Sequence, residues 1–301
     1  MAKYGIPYQG SKSNIADSII TFLPKGERFV DLFGGGFAMS ECAMRSGKYK
    51  SFLYNELNPL LPELIKKAIS GDYSYNKFKP KFVSREEFDA KRKTDGYIAY
   101  IWSFGNNPEK RYMFAKDLEP KKKSLHNFVV FGIKDDFIKT HFDDIDKYVK
   151  GDDIYKRRIL LGRYMKMKQA KRPFRELQQL EQLERLERLQ QLERLQQFEQ
   201  LERLQQLERL EINCGSYLDY EYREGDIVYC DPPYEGTAEY VGGFDSKQFY
   251  DWVMSRPYQV WFSSYQISDK RPRMVWAKGK SNLMAGASGQ KQNYECIYTN
   301  R

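Results

Sequence analysis

Histidine and cysteine are scarce in this chain: His126 and His141 are the two histidines, and Cys42, Cys214, Cys230 and Cys296 are the four cysteines, in 301 residues. The cysteines lie far apart with no CxxC spacing, so neither a disulfide framework nor a redox pair is expected, and they read as reduced structural thiols. Two isolated histidines complete no zinc-ligand pattern with them, and no metal is expected. Also missing is any run of about 18 apolar residues, which argues against a membrane-spanning helix. Met1-Ala2-Lys3-Tyr4-Gly5 opens no apolar stretch of signal-peptide length, and the expected setting is the cytoplasm.

What is present is a globular, basic composition. Hydrophobic residues make up 41%, aromatics 15%, and the formal charge is +9, so a polyanion is the first partner to consider. The charge is concentrated in the middle of the chain. Residues 72–176 carry 26 Lys and Arg against 16 Asp and Glu, whereas residues 177–211 carry 5 Arg against 8 Glu.

Both ends of the chain show strand and helix alternation. Arg28-Phe29-Val30-Asp31-Leu32-Phe33 has the apolar run of a buried strand, closed by Gly34-Gly35-Gly36 and followed by a helical pattern from Phe37 to Ala43. A second strand, Ser51-Phe52-Leu53-Tyr54-Asn55, ends at Glu56. Later, Asp226-Ile227-Val228-Tyr229-Cys230 reads as a strand ending in Asp231-Pro232-Pro233-Tyr234. A helix around residues 246–254 and strands near 259–264 and 294–299 follow. The expected fold is α/β, a twisted and mostly parallel sheet with helices on both faces. Residues 1–71 and 213–301 form one discontinuous domain in this reading, with 72–212 as a mainly helical insertion.

Within the insertion, residues 177–210 repeat an apolar residue every third position, from Leu177 through Phe198 to Leu210. Leu, Glu, Gln and Arg favour helix. A period of three nevertheless falls about 60° short of a full α-helical turn, so the leucines wind around an α-helix instead of forming a stripe, which disfavours a coiled coil. A 3₁₀ helix would stack them on one face, although long 3₁₀ runs are uncommon. Three uses fit the 177–211 tract: a spacer, an arm binding a protein partner or a second copy, and a nearly neutral repeat expansion.

The chemistry is carried by the two turns. Glycines at the end of a strand allow a ligand close to the backbone, and the next helix N-terminus offers N–H groups to a carboxylate or phosphate. With Glu56 as an acceptor for ribose hydroxyls, Gly34, Gly35 and Gly36 suggest an adenosine-containing cofactor, either a dinucleotide or S-adenosylmethionine. Asp231-Pro232-Pro233-Tyr234 separates the two. An aromatic amine is a poor nucleophile because its lone pair is delocalised into the ring. The Asp231 carboxylate and the Pro232 carbonyl can each accept one of its N–H bonds. Prolines fix that carbonyl, and Tyr234 offers a face on which a purine can stack. Attack on a methylsulfonium then needs alignment more than acid–base strength.

These residues resemble the Dam-type, alpha-group family of adenine-N6-specific DNA methyltransferases, in which the cofactor motif precedes the catalytic motif and the target-recognition region lies between them. Matching blocks are Tyr4-Gly5-Ile6-Pro7-Tyr8-Gln9-Gly10-Ser11-Lys12, Val30-Asp31-Leu32-Phe33-Gly34-Gly35-Gly36 with Tyr54-Asn55-Glu56-Leu57-Asn58, and Tyr229-Cys230-Asp231-Pro232-Pro233-Tyr234. Phe262-Ser263-Ser264-Tyr265 and the loop from Gly286 to Glu295 match more weakly. The resemblance implies a Rossmann-like, S-adenosylmethionine-dependent enzyme of bacterial or phage origin. It places Tyr8, Lys12, Asp31, Gly34, Gly35, Gly36, Glu56 and Asp231 at the cofactor. Asp231, Pro232, Pro233 and Tyr234 would then hold a flipped-out adenine. The leucine-triplet tract is not part of the family's usual pattern.

In that light the basic insertion becomes a candidate binder of double-stranded DNA, since a base must leave the duplex at a cost of a few kcal/mol that phosphate contacts and stacking offset. Candidate DNA contacts are Lys91, Arg92, Lys93, Lys110, Arg111, Lys121, Lys122, Lys123, Arg157 and Arg158. Asn106 and Asn107 are candidates to read base edges. Two alternatives stay open on sequence: a methyltransferase for another planar amine, such as an RNA base or a protein glutamine, and a catalytically inactive DNA-binding relative. Asp in place of Asn before Pro-Pro-Tyr and the large basic insertion favour DNA adenine.

Overall fold

The computed structural model describes residues 3–74, 78–151, 154–169, 207–235, 243–280 and 293–301. Its elements run α1 (Ala16–Phe22), β1 (Arg28–Asp31), α2 (Ala38–Arg45), β2 (Ser51–Glu56) and α3 (Leu60–Ile69). A helical stretch follows, α4 (Arg85–Lys91), α5 (Gly96–Ile101), α6 (Glu119–Phe131), α7 (Asp136–His141), α8 (Ile145–Tyr148) and α9 (Ile154–Gln169). The chain then returns to the sheet with β3 (Leu210–Cys214), β4 (Asp226–Cys230), α10 (Ser246–Ser255), β5 (Val260–Ser264), β6 (Arg273–Lys280) and β7 (Asn293–Thr299). The described residues divide into two units, one taking 7–9 and 67–169, the other 3–6, 10–66 and 207–301.

The second unit is built on a seven-stranded sheet of order β3-β2-β1-β4-β5-β7-β6. The strands from β3 to β5 are mutually parallel, and β7 lies antiparallel between β5 and β6. The central strands β1, β4 and β5 are buried along their whole length, as expected where helices cover both faces. On one face Val30, Val228, Val260 and Phe262 pack with Phe249, Tyr250 and Val253 of α10. The alternate residues point the other way, where Ser40 of α2 donates to Asp31 at 2.7 Å. The expected α/β sheet is thus present, and so are the expected strands at both ends of the chain.

Three features depart from the sequence expectation. The insertion drawn as 72–212 runs into β3, whose Leu210 and Ile212 pair with Phe52 and Tyr54. Residues 210–212 therefore belong to the sheet. The triplet repeat hid this strand, because its last leucine is also the strand's first residue, and Leu207–Arg209 closes the tract as a single 3₁₀ turn. The rest of the tract lies outside the described residues. The second departure is β6, a charged edge strand with a register shift between Met274 and Trp276, whose irregular alternation gives little strand signal. The third is α1, a short helix at the start of the chain.

At the amino ends of β1 and β4, Arg28 and Asp226 form a bidentate buried pair, with Nε to Oδ1 at 2.8 Å and Nη2 to Oδ2 at 2.7 Å. The Arg223 N–H and the Tyr220 hydroxyl also donate to Asp226. Removing one member strands the other charge away from water. Asp226→Ala is therefore expected to lower stability by about 3–5 kcal/mol, read as an earlier urea midpoint. An unchanged midpoint would show the pair to be dispensable.

Candidate active site

The glycine turn follows β1, and its shape is set by close packing. A Cβ on Gly34 would lie 2.2 Å from the Tyr54 ring, so no larger residue fits there. Gly5, at φ +71°, brings the N-terminal segment against the turn: Ile6 N–H donates to the Gly36 carbonyl at 2.8 Å, and a Cβ on Gly5 would meet that oxygen at 2.4 Å. Glu41 of α2 holds this crossing by accepting the Gly5 N–H at 2.7 Å.

The turn's own N–H groups are largely committed. Gly34 N–H donates to the Asn55 carbonyl, and Gly35 N–H donates to the Glu56 carboxylate at 2.9 Å. Gly34 and Gly35 therefore have no N–H group to spare for a ligand, and the expected N–H donors are those of the following helix. Glu56 also accepts the Asn58 N–H at 3.0 Å, which ties it to the backbone at the end of β2 and leaves lone pairs on both oxygens for hydroxyl donors.

Acidic groups crowd this place. Asp31, 1% exposed, receives Ser40 on Oδ2, while its Oδ1 is buried without a hydrogen-bond donor among the described residues. Burial pushes the Asp31 carboxyl up to about 7, against a hydrogen bond from Ser40 that lowers it, and the negative charges of Asp231 and Glu56 raise it further. Burial raises Glu56 as well, opposed by the backbone N–H groups it accepts.

The late turn lies beside the early one. β1 and β4 run parallel with Asp31 opposite Tyr229, and Leu32 N–H donates to the Tyr229 carbonyl, so both strands deliver their following turns at the same carboxyl end. The sheet thereby brings together Lys12, Asp31, the Gly34–Gly36 turn, Glu56 and Asp231–Tyr234 within one unit. Lys12, only 6% exposed, donates to Asp231 Oδ2 at 2.7 Å and lies 4.8 Å from the centre of the Tyr234 ring. The Tyr234 hydroxyl lies within hydrogen-bond reach of Asp231 Oδ1, at 3.1 Å, and of Glu295 Oε1, and its one proton is shared between the two carboxylates. Burial, followed by the charges of Asp231 and Glu295, raises Tyr234 well above its ordinary value, so the hydroxyl keeps its proton. Pro232 is buried and Pro233 half-buried between them.

Tyr8 is the exception among the expected cofactor residues. It belongs with residues 67–169, where its ring lies 5.8 Å from that of Tyr100. Tyr265 and Glu295 stand in the weaker family-like blocks of the sequence without an assigned role, and Ser40 has none either; Tyr265 packs edge-on to Tyr234 at 4.6 Å. Each is an ordinary residue in or beside a strand or helix, and only the sheet order brings it near the turns.

In the other unit the expected DNA contacts fall into two groups. Lys93, Lys110, Arg111 and Lys123 are exposed, Lys121 is half-buried, and Lys91 is exposed but paired with Glu87. Lys122 is buried, 2% exposed, with its ammonium 5.7 Å from the Phe114 ring, because the middle lysine of the triplet falls on the core face of α6. Its expected phosphate contact is corrected accordingly. Arg157 caps α6 by donating to the carbonyls of Val129 and Val130 and to Gly151, a structural duty the sequence did not disclose. Arg158, its neighbour, is half-buried. Arg92 donates to the Pro108 and Lys110 carbonyls and so pins the hairpin closed by the Ser103–Tyr112 bridge. In that hairpin Asn106 donates to the Tyr100 carbonyl, Asn107 to Gln9, and Arg111 stacks over the exposed Phe104 at 4.5 Å.

A sequence model of the D12 class N6 adenine-specific DNA methyltransferases matches residues 8–252. The chain belongs to this family. It is an enzyme that methylates the N6 amine of adenine in DNA, and its α/β sheet is Rossmann-like, as that family assignment and the strand order agree. A comparison with curated proteins gave no match. No helix among the described residues is long and apolar enough to cross a membrane.

The raised Asp31 carboxyl gives the methyltransferase a pH signature. Its folded value, about 7, lies above the ordinary 3.8, so the folded state favours the protonated form. Below 3.8 both states are protonated and no penalty exists; the penalty grows as pH rises to about 7 and is constant above it. Asp31→Asn should flatten the fall in melting temperature across that window. A fall as steep as that of the wild type would place its origin elsewhere.

Proposed function

We propose that S-adenosylmethionine is the donor and that Asp231, Pro232, Pro233 and Tyr234 hold an adenine flipped out of double-stranded DNA. What carries the proposal is the shared carboxyl end of β1 and β4, which sets the late proline turn beside Asp31 and the glycine bend. The charge of the surroundings supports the donor. Asp31, Glu56 and Asp231 would repel a pyrophosphate, and the buried, undonated Oδ1 of Asp31 suits a cationic amino group. The residues present therefore fit a sulfonium cofactor better than a dinucleotide.

In this proposal Asp31 would hold the cofactor's amino group, Glu56 its ribose hydroxyls and Lys12 its carboxylate. The cofactor, when bound, supplies an electrophilic methyl group. The chain's own work is to present the nucleophile. Asp231 and the Pro232 carbonyl accept the two N–H bonds of the adenine amine and turn its lone pair out of conjugation, while Tyr234 stacks on the purine. Asp231 is also placed to accept the proton that the amine loses once it is methylated.

The same proposal assigns target recognition to residues between 72 and 209, with Lys91, Lys93, Lys110, Arg111, Lys121, Lys123 and Arg158 meeting phosphates and Asn106 and Asn107 near base edges. The repeat tract remains an arm or spacer in this scheme, and the enzyme works in the cytoplasm.

Asp231→Ala and Tyr234→Ala should each abolish transfer of a labelled methyl group to duplex DNA while leaving the far-UV spectrum unchanged. Retained activity in either folded variant would refute the assigned roles. For the DNA surface, Lys121→Ala with Lys123→Ala should weaken binding and reduce the slope of log K against log salt by about 1 for each phosphate no longer neutralised. An unaltered slope would identify those lysines as ordinary surface charge.

A further inference from the structure

We infer that Glu295 is a positioning residue for methyl transfer, holding Tyr234 and Lys12 so that the Asp231 carboxylate is released to the adenine amine. The inference rests on the roles proposed above for Asp231 and Tyr234. Asp231 Oδ2 accepts from the Lys12 ammonium at 2.7 Å, and Oδ1 lies 3.1 Å from the Tyr234 hydroxyl, whose single proton it shares with Glu295. An arriving amine must compete with these two donors. Each of them also reaches Glu295: the Tyr234 hydroxyl donates to Oε1, and Lys12 Nζ lies 3.6 Å from the same oxygen.

A small shift of the ammonium toward Glu295 keeps Lys12 neutralised while Asp231 turns to the N–H donors of the amine, so the buried ammonium is not left alone during the exchange. The hydroxyl tether meanwhile fixes the Tyr234 ring, whose face is proposed to carry the purine. Glu295 is suited to this by its setting. It is 1% exposed on β7 and opposes Lys278 of β6, and the adjoining Cys296 opposes Ser264 of β5. A paired strand holds the carboxylate far more firmly than a loop would. A second buried carboxylate is a costly way to build a core, and an apolar residue of similar size would pack there at less cost.

The test compares Glu295→Gln, Glu295→Ala and Asp231→Ala in the full-length enzyme. Single-turnover methylation, KM for DNA and cofactor, and melting temperature are measured, together with cofactor-free fluorescence of duplex DNA carrying 2-aminopurine at the mapped target adenine. Gln keeps an acceptor for Tyr234 but loses the charge offered to Lys12. It should therefore lower the transfer rate about 10- to 100-fold with little change in either KM, and with the flipped-base fluorescence retained. Ala loses both interactions and should also diminish the fluorescence signal. Wild-type transfer rates in folded Glu295→Gln overturn the inference, and so does an effect confined to melting temperature. Should Ala not fold, Gln decides; should neither fold, Glu295 is structural and the inference falls. Activity in Asp231→Ala would instead overturn the underlying site assignment.

Discussion

The parallel pairing of β1 with β4 is the constraint on which the site depends. Their sequences are nearly 200 residues apart, yet Asp31 stands opposite Tyr229, and the two strands end together. In a parallel pair every following turn leaves at the same edge of the sheet. The glycine bend and the proline turn therefore become neighbours without any direct bond between their own residues being required. At the opposite edge the Arg28–Asp226 pair locks this register, since a one-residue slip would separate a buried guanidinium from its carboxylate.

That edge concentrates negative charge. Burial, with the charges of Asp231 and Glu56 adding to it, pushes the Asp31 carboxyl up to about 7. Such an arrangement is unfavourable in an empty fold and favourable around a cation. Lys12 supplies one cation, shared between Asp231 and Glu295. The site's polarity thus points away from phosphate recognition, even though a glycine bend between strand and helix commonly serves phosphates. The difference lies in Gly34 and Gly35, whose N–H groups are spent on Asn55 and Glu56.

Much of this was legible in the sequence for physical reasons. Strands with a buried middle announce themselves as apolar runs, which is why β1, β2 and β4 were visible, and turns that need glycine or proline restrict the residue types they accept. Glu56 and Asp231 were visible because each adjoins such a run or turn, whereas Lys12 was marked only by the family resemblance of its segment. What stayed hidden obeys no local rule. Glu295 is one glutamate on a late strand, and nothing within its neighbours reveals that β7 runs antiparallel beside β5. Likewise β3 was masked because a leucine-triplet repeat and a short strand share Leu210.

The basic surplus of residues 72–176 obeys a different rule, because cations committed to the fold are counted in it along with those that face water. Lys122 belongs to a run of three lysines, yet on a helix adjacent residues point about 100° apart, so a triplet cannot lie wholly on one face. The middle one turns into the core over Phe114, while Lys123 remains in water. Arg157 and Arg92 are similarly drawn to backbone carbonyls, where a planar guanidinium satisfies several acceptors at once. A basic surplus is therefore an upper bound on the charge available to DNA. Arginines beside helix ends and hairpins should be the first to be subtracted from it, because those are the places where unsatisfied carbonyls collect.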